Sequence, residues 1–346
     1  LVTAGAQGTK WLGLPGEELA GVYHAKDLVY HYNRLPGYSQ RDFQIGKRVA
    51  LVGMGNVMMD IAHYLISEKQ VDEVMALARR GPAEVKFDRK ELEIVEANLD
   101  LNAYDAEVDR VSGLMRSLGE DPEQVKEFIH STMEKALPTH SNTHFTMHFL
   151  VSPVRILGDG AGRVCGVEVE DNTLVMEADG EIKARALGTR RTLEVDTVVF
   201  AIGDRVDDAL GLPVEGSVFA VCREPRYPQE GASFEVNDPA SKCLVKDIFV
   251  AGWSRKASTG LVGVARKDGT LGATAVMQYL AGLPGIPEAD AQSALQQLAE
   301  SGRPAVTRAM LERLEQAEQE RARALGLDEF KFDSNQEMIA AIKTSP

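Results

Sequence analysis

The spacing of apolar and polar positions predicts a strand–helix–strand unit early in the chain. Lys47–Val52 is an apolar, β-branched run that ends at a glycine, which is typical of a buried strand. Val57–Glu68 then has the apolar spacing of a helix, and Val74–Ala78 has the character of a second buried strand. Units of this kind build parallel sheets, so the pattern indicates an α/β fold.

Regular patterns continue along the rest of the chain. Helical spacing is found at 25–34, 90–98, 122–135 and 267–280, and again in the charged stretch after 287. Alternation of apolar and polar residues predicts strands within 143–169, with a turn at 158–162, and over 193–202 and 247–251.

Three apolar segments end in the same way, at a glycine: Val2–Gly5, Phe200–Gly203 and Phe249–Gly252. Glycine lets the backbone pass close to a ligand, and nucleotides bind at the carboxyl ends of parallel strands. The alternative is an ordinary turn at each strand end. Together with the strand–helix–strand unit, the repetition favours two nucleotide-binding sheets.

Composition narrows the classes of function. The chain has 346 residues and a net charge of −14, from 38 Lys and Arg against 52 Asp and Glu. This charge disfavours nucleic acid as a general partner, and no apolar run reaches the ~18 residues of a membrane span.

Three widely spaced cysteines without a CxxC argue against structural zinc and favour a reducing cytoplasm, and we expect each to be a small buried residue. His140, His144 and His148 fall on a predicted strand and lack a metal-binding pattern, so no metal site is predicted.

The glycines after the first predicted strand form the clearest chemical motif. Gly53, Gly55, Asn56 and Val57 follow that strand and open the predicted helix, which is the context of a dinucleotide-binding fingerprint. The first glycine allows a tight turn, and the second lets a pyrophosphate reach the N–H groups of the helix N-terminus. The third position of the fingerprint holds Met58 instead of Gly or Ala, so the motif is incomplete.

Two arginines, Arg79 and Arg80, stand where the second predicted strand ends. An NAD site favours Asp or Glu near this position to bind the ribose 2′-hydroxyl, whereas paired arginines suit a 2′-phosphate. The alternative is a pair of solvated surface arginines. Next to the glycines, they make NADP the favoured cofactor.

A second glycine-rich edge precedes the helix predicted over 267–280. Gly252, Trp253 and the run Gly260–Gly263 can offer backbone amides to a heteroaromatic carbonyl, with the indole covering a ring face. Taken alone, a packing tryptophan beside a flexible loop explains this stretch equally well.

Taken together, these segments resemble the adrenodoxin reductase-like ferredoxin–NADP reductases, a branch of the flavoproteins with two dinucleotide-binding domains. The matching segments occur in family order: Ala4–Ala6, Ala25–Pro36, Gly53–Asp60, Ala78–Pro82, Lys90–Leu92 and Ala251–Gly263. The flavin-containing small subunit of glutamate synthase has the same architecture and is a close competitor.

The resemblance implies a Rossmann-like NADP domain inserted in an FAD-type dinucleotide-binding domain that is incomplete at its N-terminus. Residues 1–45 would be a remnant of the FAD-binding domain, 46–200 the NADP-binding domain, 201–285 the C-terminal part of the FAD-binding domain and 286–346 a helical tail. The FAD fingerprint is expected to precede residue 1, and a start at Leu1 without Met indicates that the chain has lost its beginning.

The resemblance also implies roles for individual residues. NADPH would be lined by Gly53, Gly55, Asn56, Val57, Arg79, Arg80 and Glu91. The isoalloxazine would be contacted by Gly252, Trp253, Gly260, Leu261 and Val262. Asp60 falls where the family has an acidic residue near the reacting rings and is the catalytic candidate, whereas Asp204 replaces an aromatic residue of the family.

The implied activity is NADPH-dependent reduction of FAD, with electrons passed to a ferredoxin-like iron–sulfur protein in the cytoplasm. Two alternatives remain open. One is an electron-input component of a larger complex, similar to the small subunit of glutamate synthase. The other is an inactive NADP-binding fragment, because the FAD fingerprint is missing, and we expect the chain to hold FAD weakly or not at all.

Overall fold

The computed structural model describes residues 1–139, 141–178, 180–257, 260, 262–285, 288–302 and 306–344. Its strands are β1 (Gly8–Thr9), β2 (Val22–His24), β3 (Arg48–Val52), β4 (Glu73–Ala78), β5 (His144–Phe149), β6 (Val151–Gly158), β7 (Val164–Met176), β8 (Ile182–Leu193), β9 (Thr197–Phe200), β10 (Asp204–Arg205), β11 (Val214–Glu215), β12 (Val218–Phe219), β13 (Glu235–Asp238) and β14 (Cys243–Phe249). Its α-helices are α1 (Ala25–Tyr32), α2 (Asn56–Tyr64), α3 (Arg89–Val95), α4 (Leu101–Ser117), α5 (Pro122–His130), α6 (Trp253–Lys256), α7 (Val262–Ala281), α8 (Glu288–Glu300), α9 (Arg308–Leu325) and α10 (Asn335–Thr344).

The chain divides into two compact units by its internal contacts. The glycine-loop unit consists of Lys10–Asn33 and Gln40–Ile202, and the tail unit consists of Leu1–Thr9, Arg34–Ser39 and Gly203–Pro346. The division into NADP and FAD domains, with boundaries after 45, 200 and 285, remains a prediction.

A five-stranded parallel sheet forms the centre of the glycine-loop unit. Its strand order is β2-β9-β3-β4-β5, and all four pairings are parallel. The predicted strand–helix–strand unit is confirmed as β3, α2 and β4. Val49, Ala50 and Leu51 in β3 are fully buried, as expected for a strand covered on both faces of a parallel sheet. The α/β class predicted from the sequence is therefore confirmed.

Helices cover one face of this sheet, and an antiparallel sheet covers the other. On the helical side, Leu28, Met58 and Ile61 belong to one apolar core with residues of β3, β4 and β5. On the opposite side, Val151 and Val167 from the β6-β7-β8 sheet share a core with residues of β3, β4 and β9. The sheet edge that carries the loops after β3 and β4 is thereby held rigidly from both sides.

The strand predicted over 193–202 is interrupted in the structure. Strand β8 ends at Leu193 and β9 begins at Thr197. Between them, the Asp196 carboxylate accepts hydrogen bonds from the backbone N–H groups of Lys47 (3.2 Å) and Arg48 (3.0 Å). These bonds fix the turn that brings β9 into the sheet beside β3.

The tail unit contains small pairs of strands and most of the exposed helices. Its strands pair as β1-β10, β11-β12 and β13-β14, and Val2 forms an isolated parallel bridge with Val250. Helix α7 packs closely at Gly272, where a Cβ would lie 2.6 Å from the Cβ of Ala251. None of the described helices combines the length and the apolar character needed to cross a bilayer.

Candidate functional site

The loop from Gly53 to Gly55 joins the carboxyl end of β3 to the N-terminus of α2. Gly53 has a φ of +130°, and a Cβ at this position would lie 2.3 Å from the carbonyl oxygen of Ala201. Gly55 is the N-cap of α2, and a Cβ there would meet nothing within 4 Å. Packing within the protein therefore requires the first glycine, whereas the second borders open space that a ligand can enter.

The N-terminus of α2 presents an unused hydrogen-bond donor. Gly55 provides no side-chain cap, and within the described part of the chain the backbone N–H of Val57 donates to no other group. The Asn56 side chain is already engaged, since its Nδ2 donates to Asp88 Oδ2 (2.9 Å) and its Oδ1 accepts from Asp88 N (2.8 Å). Any contact of Asn56 with an anion would therefore use its backbone, as is usual at helix N-termini.

Arg79 and Arg80 lie at the carboxyl end of β4, directly beside this loop. The backbone N–H of Gly53 donates to the carbonyl of Leu77 (3.0 Å), which ties the loop to the end of β4. Arg79 is exposed and Arg80 is half-buried. Among the described residues, neither guanidinium takes part in a hydrogen bond or an ion pair. Two cationic donors and a helix N-terminus thus converge on one sheet edge.

The charge of Asp60 acts on the carboxyl group of Glu91. Asp60 is on an exposed position of α2, where loss of surrounding water raises its pKa. Burial raises the pKa of Glu91 in the first turn of α3, and the charges of Asp60 and Asp88 raise it further. Burial and the Asp60 charge also raise the pKa of Tyr32 to about 12. The structure therefore brings the catalytic candidate and Glu91 together in one acidic cluster.

A buried carboxylate organises the second glycine-rich edge, in the tail unit. Asp268 of α7 is 1% exposed and accepts hydrogen bonds from the backbone N–H of Gly252 (2.7 Å) and from Arg255 Nε (3.1 Å). Burial alone would raise the pKa of Asp268, but these hydrogen bonds and the Arg255 charge lower it overall. Trp253, between the two donors, is 37% exposed. No sequence motif singled out Asp268.

The other predicted residues of this edge are distributed around the start of α7. Gly260 has a φ of +80°, and Val262, the first residue of the helix, is 70% exposed. Leu261 lies outside the described residues. The three strand-end glycines predicted to be equivalent, Gly5, Gly203 and Gly252, all belong to this unit, and Gly5 donates its N–H to Ser254 Oγ (2.9 Å) on α6.

The histidines take structural roles where they are described. His144 Nε2 lies 2.9 Å from Asp100 Oδ2, and His148 Nε2 lies 3.1 Å from Thr146 Oγ1, both on β5 as the alternation predicted. His140 lies outside the described residues. Across the part of the chain that the structure describes, no group of three or more His, Cys, Asp or Glu side chains is arranged to hold a metal ion.

The prediction that all three cysteines are buried is wrong. Cys165 and Cys243 are exposed, and Cys222 is half-buried. Cys165 occupies an outward position of β7, next to the buried Val164, because successive residues of a strand point to opposite faces.

Comparison with known proteins identifies relatives among NADPH-dependent reductases. No family model matches the chain. NADPH-ferredoxin reductase FprA of Mycobacterium leprae is 28% identical over 309 residues, which cover 82% of this chain and 63% of that protein. The mitochondrial NADPH:adrenodoxin oxidoreductase of Salvelinus fontinalis is 26% identical over 301 residues, covering 78% of this chain and 57% of that protein. The chain is thus similar in sequence to part of these NADPH-dependent reductases.

The solved structures agree with this relationship at the level of the fold. Mycobacterium tuberculosis FprA, solved in complex with NADPH, superposes with a TM-score of 0.76 at 23% identity, over 99% of this chain and 78% of that chain. The resemblance stated from the motifs is therefore confirmed. The chain spans 63% and 57% of the lengths of the two relatives, so it is compared with part of each of them.

Proposed function

We propose that the chain is the NADPH-binding part of a flavin-dependent reductase that delivers electrons to a ferredoxin-like iron–sulfur protein. The observation that carries the proposal is the convergence of Arg79, Arg80 and the uncapped N-terminus of α2 on one edge of a parallel sheet. The names of the relatives, NADPH-ferredoxin reductase and NADPH:adrenodoxin oxidoreductase, support the same activity.

In this proposal the glycine-loop unit holds the NADPH phosphates. The pyrophosphate lies over Gly55 and accepts a hydrogen bond from the N–H of Val57, where the helix dipole favours an anion. Arg79 and Arg80 bind the 2′-phosphate, and each charge-assisted hydrogen bond to it contributes about 1.5–3 kcal/mol.

The acidic cluster has a different task. The raised pKa values of Asp60 and Glu91 mean that each carboxyl group holds its proton to a higher pH than an ordinary surface carboxyl group does. In this proposal Asp60 holds a proton beside the reacting end of the coenzyme, and Glu91 helps to keep Asp60 protonated.

The residues of the tail unit fit the ring end of FAD. Gly252 and Gly260 have positive φ values, Trp253 offers a partly exposed aromatic face, and Val262 leaves the start of α7 accessible. FAD bound there would supply the exchange of a two-electron hydride for single electrons that an iron–sulfur acceptor can take. A cytoplasmic location belongs to this proposal, since free cysteines fit a reducing compartment.

The first test is the coenzyme preference of the purified chain. NADPH is expected to bind at least about tenfold more tightly than NADH in calorimetric titrations, because the 2′-phosphate adds contacts worth more than 1.4 kcal/mol. Arg79→Ala is expected to remove most of this difference. Arg163→Ala, an exposed arginine in the turn between β6 and β7, is the matched control and should leave the preference unchanged.

The second test is electron transfer. The chain supplied with NADPH and with saturating FAD, which offsets the weak FAD binding expected from the sequence, is expected to reduce a ferredoxin, as measured by the change in visible absorbance of the iron–sulfur cluster. Equal dissociation constants for NADPH and NADH would refute the NADP site. A chain that has bound FAD and prefers NADPH but does not reduce ferredoxin would refute the acceptor and leave the coenzyme assignment standing.

A further inference from the structure

We infer that Asn172, on β7, is a positioning residue that fixes the two arginines for recognition of the NADPH 2′-phosphate. The inference rests on the proposed function and deepens it. Asn172 lies in the antiparallel sheet that covers the parallel one, far from both arginines in sequence, and it is only 6% exposed. A buried amide in this position needs hydrogen-bond partners, because an unsatisfied one costs about 1–3 kcal/mol.

The side chain of Asn172 holds the backbone of Arg79. Its Nδ2 donates to the carbonyl oxygen of Arg79 (3.2 Å) and to Ser152 Oγ (2.7 Å). An amide nitrogen carries two hydrogens, so both of its donors are used, and Ser152 sets the direction from which the amide reaches Arg79.

The backbone of Asn172 holds Arg80 through one intermediate. Asn172 N donates to the carbonyl of Leu150 (2.7 Å), and Leu150 N donates to the carbonyl of Arg80 (3.1 Å). Leu150 has a φ of +56°, which is rare for a residue with a side chain and indicates that its neighbours hold it in place. One residue of β7 therefore fixes the carbonyls of both arginines.

A strand irregularity lies beside Asn172. The pairing of β7 with β8 shifts register between Glu170, opposite Arg190, and Asn172, opposite Ala186. Residues 187–189 are left unpaired by the shift. The extra residues lie on β8, and directly beside them the Asn172 side chain of β7 reaches the end of β4.

The arginine side chains depend on this anchor because neither guanidinium has a hydrogen bond or an ion pair with another described residue, although the charge of Arg80 acts on Glu84. A guanidinium on a mobile backbone loses conformational freedom when it binds phosphate, whereas an anchored one has already lost part of it. Loss of the anchor should weaken recognition of the 2′-phosphate and spare the pyrophosphate contacts, which are made at α2.

The experiment compares two nucleotides that differ only in the 2′-phosphate. We expect Asn172→Leu to weaken binding of 2′,5′-ADP by about tenfold in calorimetric titrations, which corresponds to about 1.4 kcal/mol, and to leave 5′-AMP binding unchanged. The matched control is Asn142→Leu, at an exposed asparagine before β5 at the opposite end of the strands, where neither affinity should change.

A second variant guards against misfolding of the first. Ser152→Ala keeps Asn172 but removes one of its two partners, and a loss of about threefold for 2′,5′-ADP alone is expected from partial loosening. Circular dichroism and thermal unfolding establish that each variant is folded before titration.

The outcomes separate this inference from the proposed function. If the wild-type chain does not prefer 2′,5′-ADP to 5′-AMP, the NADP site itself is refuted. If Arg79→Ala abolishes the preference while folded Asn172→Leu and Ser152→Ala retain it, only the positioning role is refuted. Equal weakening of both nucleotides by Asn172→Leu would also refute that role, because it would reflect a general disturbance of the sheet edge.

Discussion

The two glycines of the loop after β3 should respond in opposite ways to the same substitution. Gly53→Ala would place a methyl group 2.3 Å from the Ala201 carbonyl oxygen at a backbone φ of +130°. Strained backbone costs about 1–3 kcal/mol and overpacking about the same, so a loss of about 3 kcal/mol or more in the free energy of unfolding is expected. For a unit of this size that corresponds to a fall in Tm of about 6–12 °C.

Gly55→Ala should leave stability nearly unchanged and impair binding instead. The added methyl group meets nothing within 4 Å, and the backbone is extended, with a φ of −125°. Alanine caps a helix less well than glycine, but it also lowers the conformational entropy of the unfolded chain. Because these two effects oppose each other, the free energy of unfolding should change by no more than about 1 kcal/mol. The methyl group does occupy the space assigned to the pyrophosphate, and NADPH affinity should fall by about tenfold or more.

Thermal unfolding and NADPH titration, run on both variants and the wild type, measure these two effects separately. The reasoning is refuted if Gly55→Ala binds NADPH as tightly as the wild type, because the open space beside that glycine would then not be where the phosphates lie. It is refuted equally if the two substitutions lower Tm by the same amount.

Two other substitutions probe one buried and one half-buried carboxylate, Asp268 and Glu107. Asp268→Asn breaks a buried ion pair with Arg255, so we expect a loss of about 3 kcal/mol in the free energy of unfolding. In a Trp11→Phe background, which leaves Trp253 as the fluorophore, we also expect a red shift of the tryptophan emission. Unchanged emission in the folded variant would contradict the anchoring of this turn by Asp268. For Glu107, burial opposes ionisation, but hydrogen bonding, led by His148, outweighs it and lowers the pKa. In the acid range the unfolded state then binds more protons at Glu107 than the folded state does. Ionised Glu107 therefore stabilises the fold above the ordinary Glu pKa of about 4.3, and this stabilisation is lost as the pH falls through the pKa of Glu107 in the folded state. Urea unfolding of the wild type and Glu107→Gln should give a difference that shrinks from pH 7 to pH 3, and a constant difference would count against this assignment.

Sequence patterns predicted the parts of the fold in which apolar periodicity is strong. Strands β3 and β4 and helix α2 stand where the spacing put them. Helix α4 was not predicted, although Tyr104, Val108, Val111 and Met115 have helical spacing, because charged and small residues lie between these apolar positions. Strand β8 is exposed along almost its whole length and therefore lacks the alternation by which strands are predicted.

The candidate site was predictable in its chemistry but not in its supports. Gly55 and the two arginines could be named because their residue types and spacing follow from the needs of a dinucleotide. Asn172 and Asp268 could not, because each acts by a tertiary contact with a segment distant in sequence. The engagement of Asn56 by Asp88 is likewise invisible until the loop and α3 are seen together.

The position of β9 in the parallel sheet has a consequence for how the protein is made. Strand β3 pairs with β4, which follows it closely, and with β9, which is synthesised much later. Strand β2 has β9 as its neighbour in the sheet order. Until Thr197–Phe200 has emerged from the ribosome, the backbone hydrogen-bonding groups along one edge of β3 stay unpaired and β2 has no strand beside it. Open strand edges of this kind associate readily with other chains. The sheet is thus completed by its late strand, and a shorter chain ending before 197 should aggregate instead of forming a smaller nucleotide-binding unit.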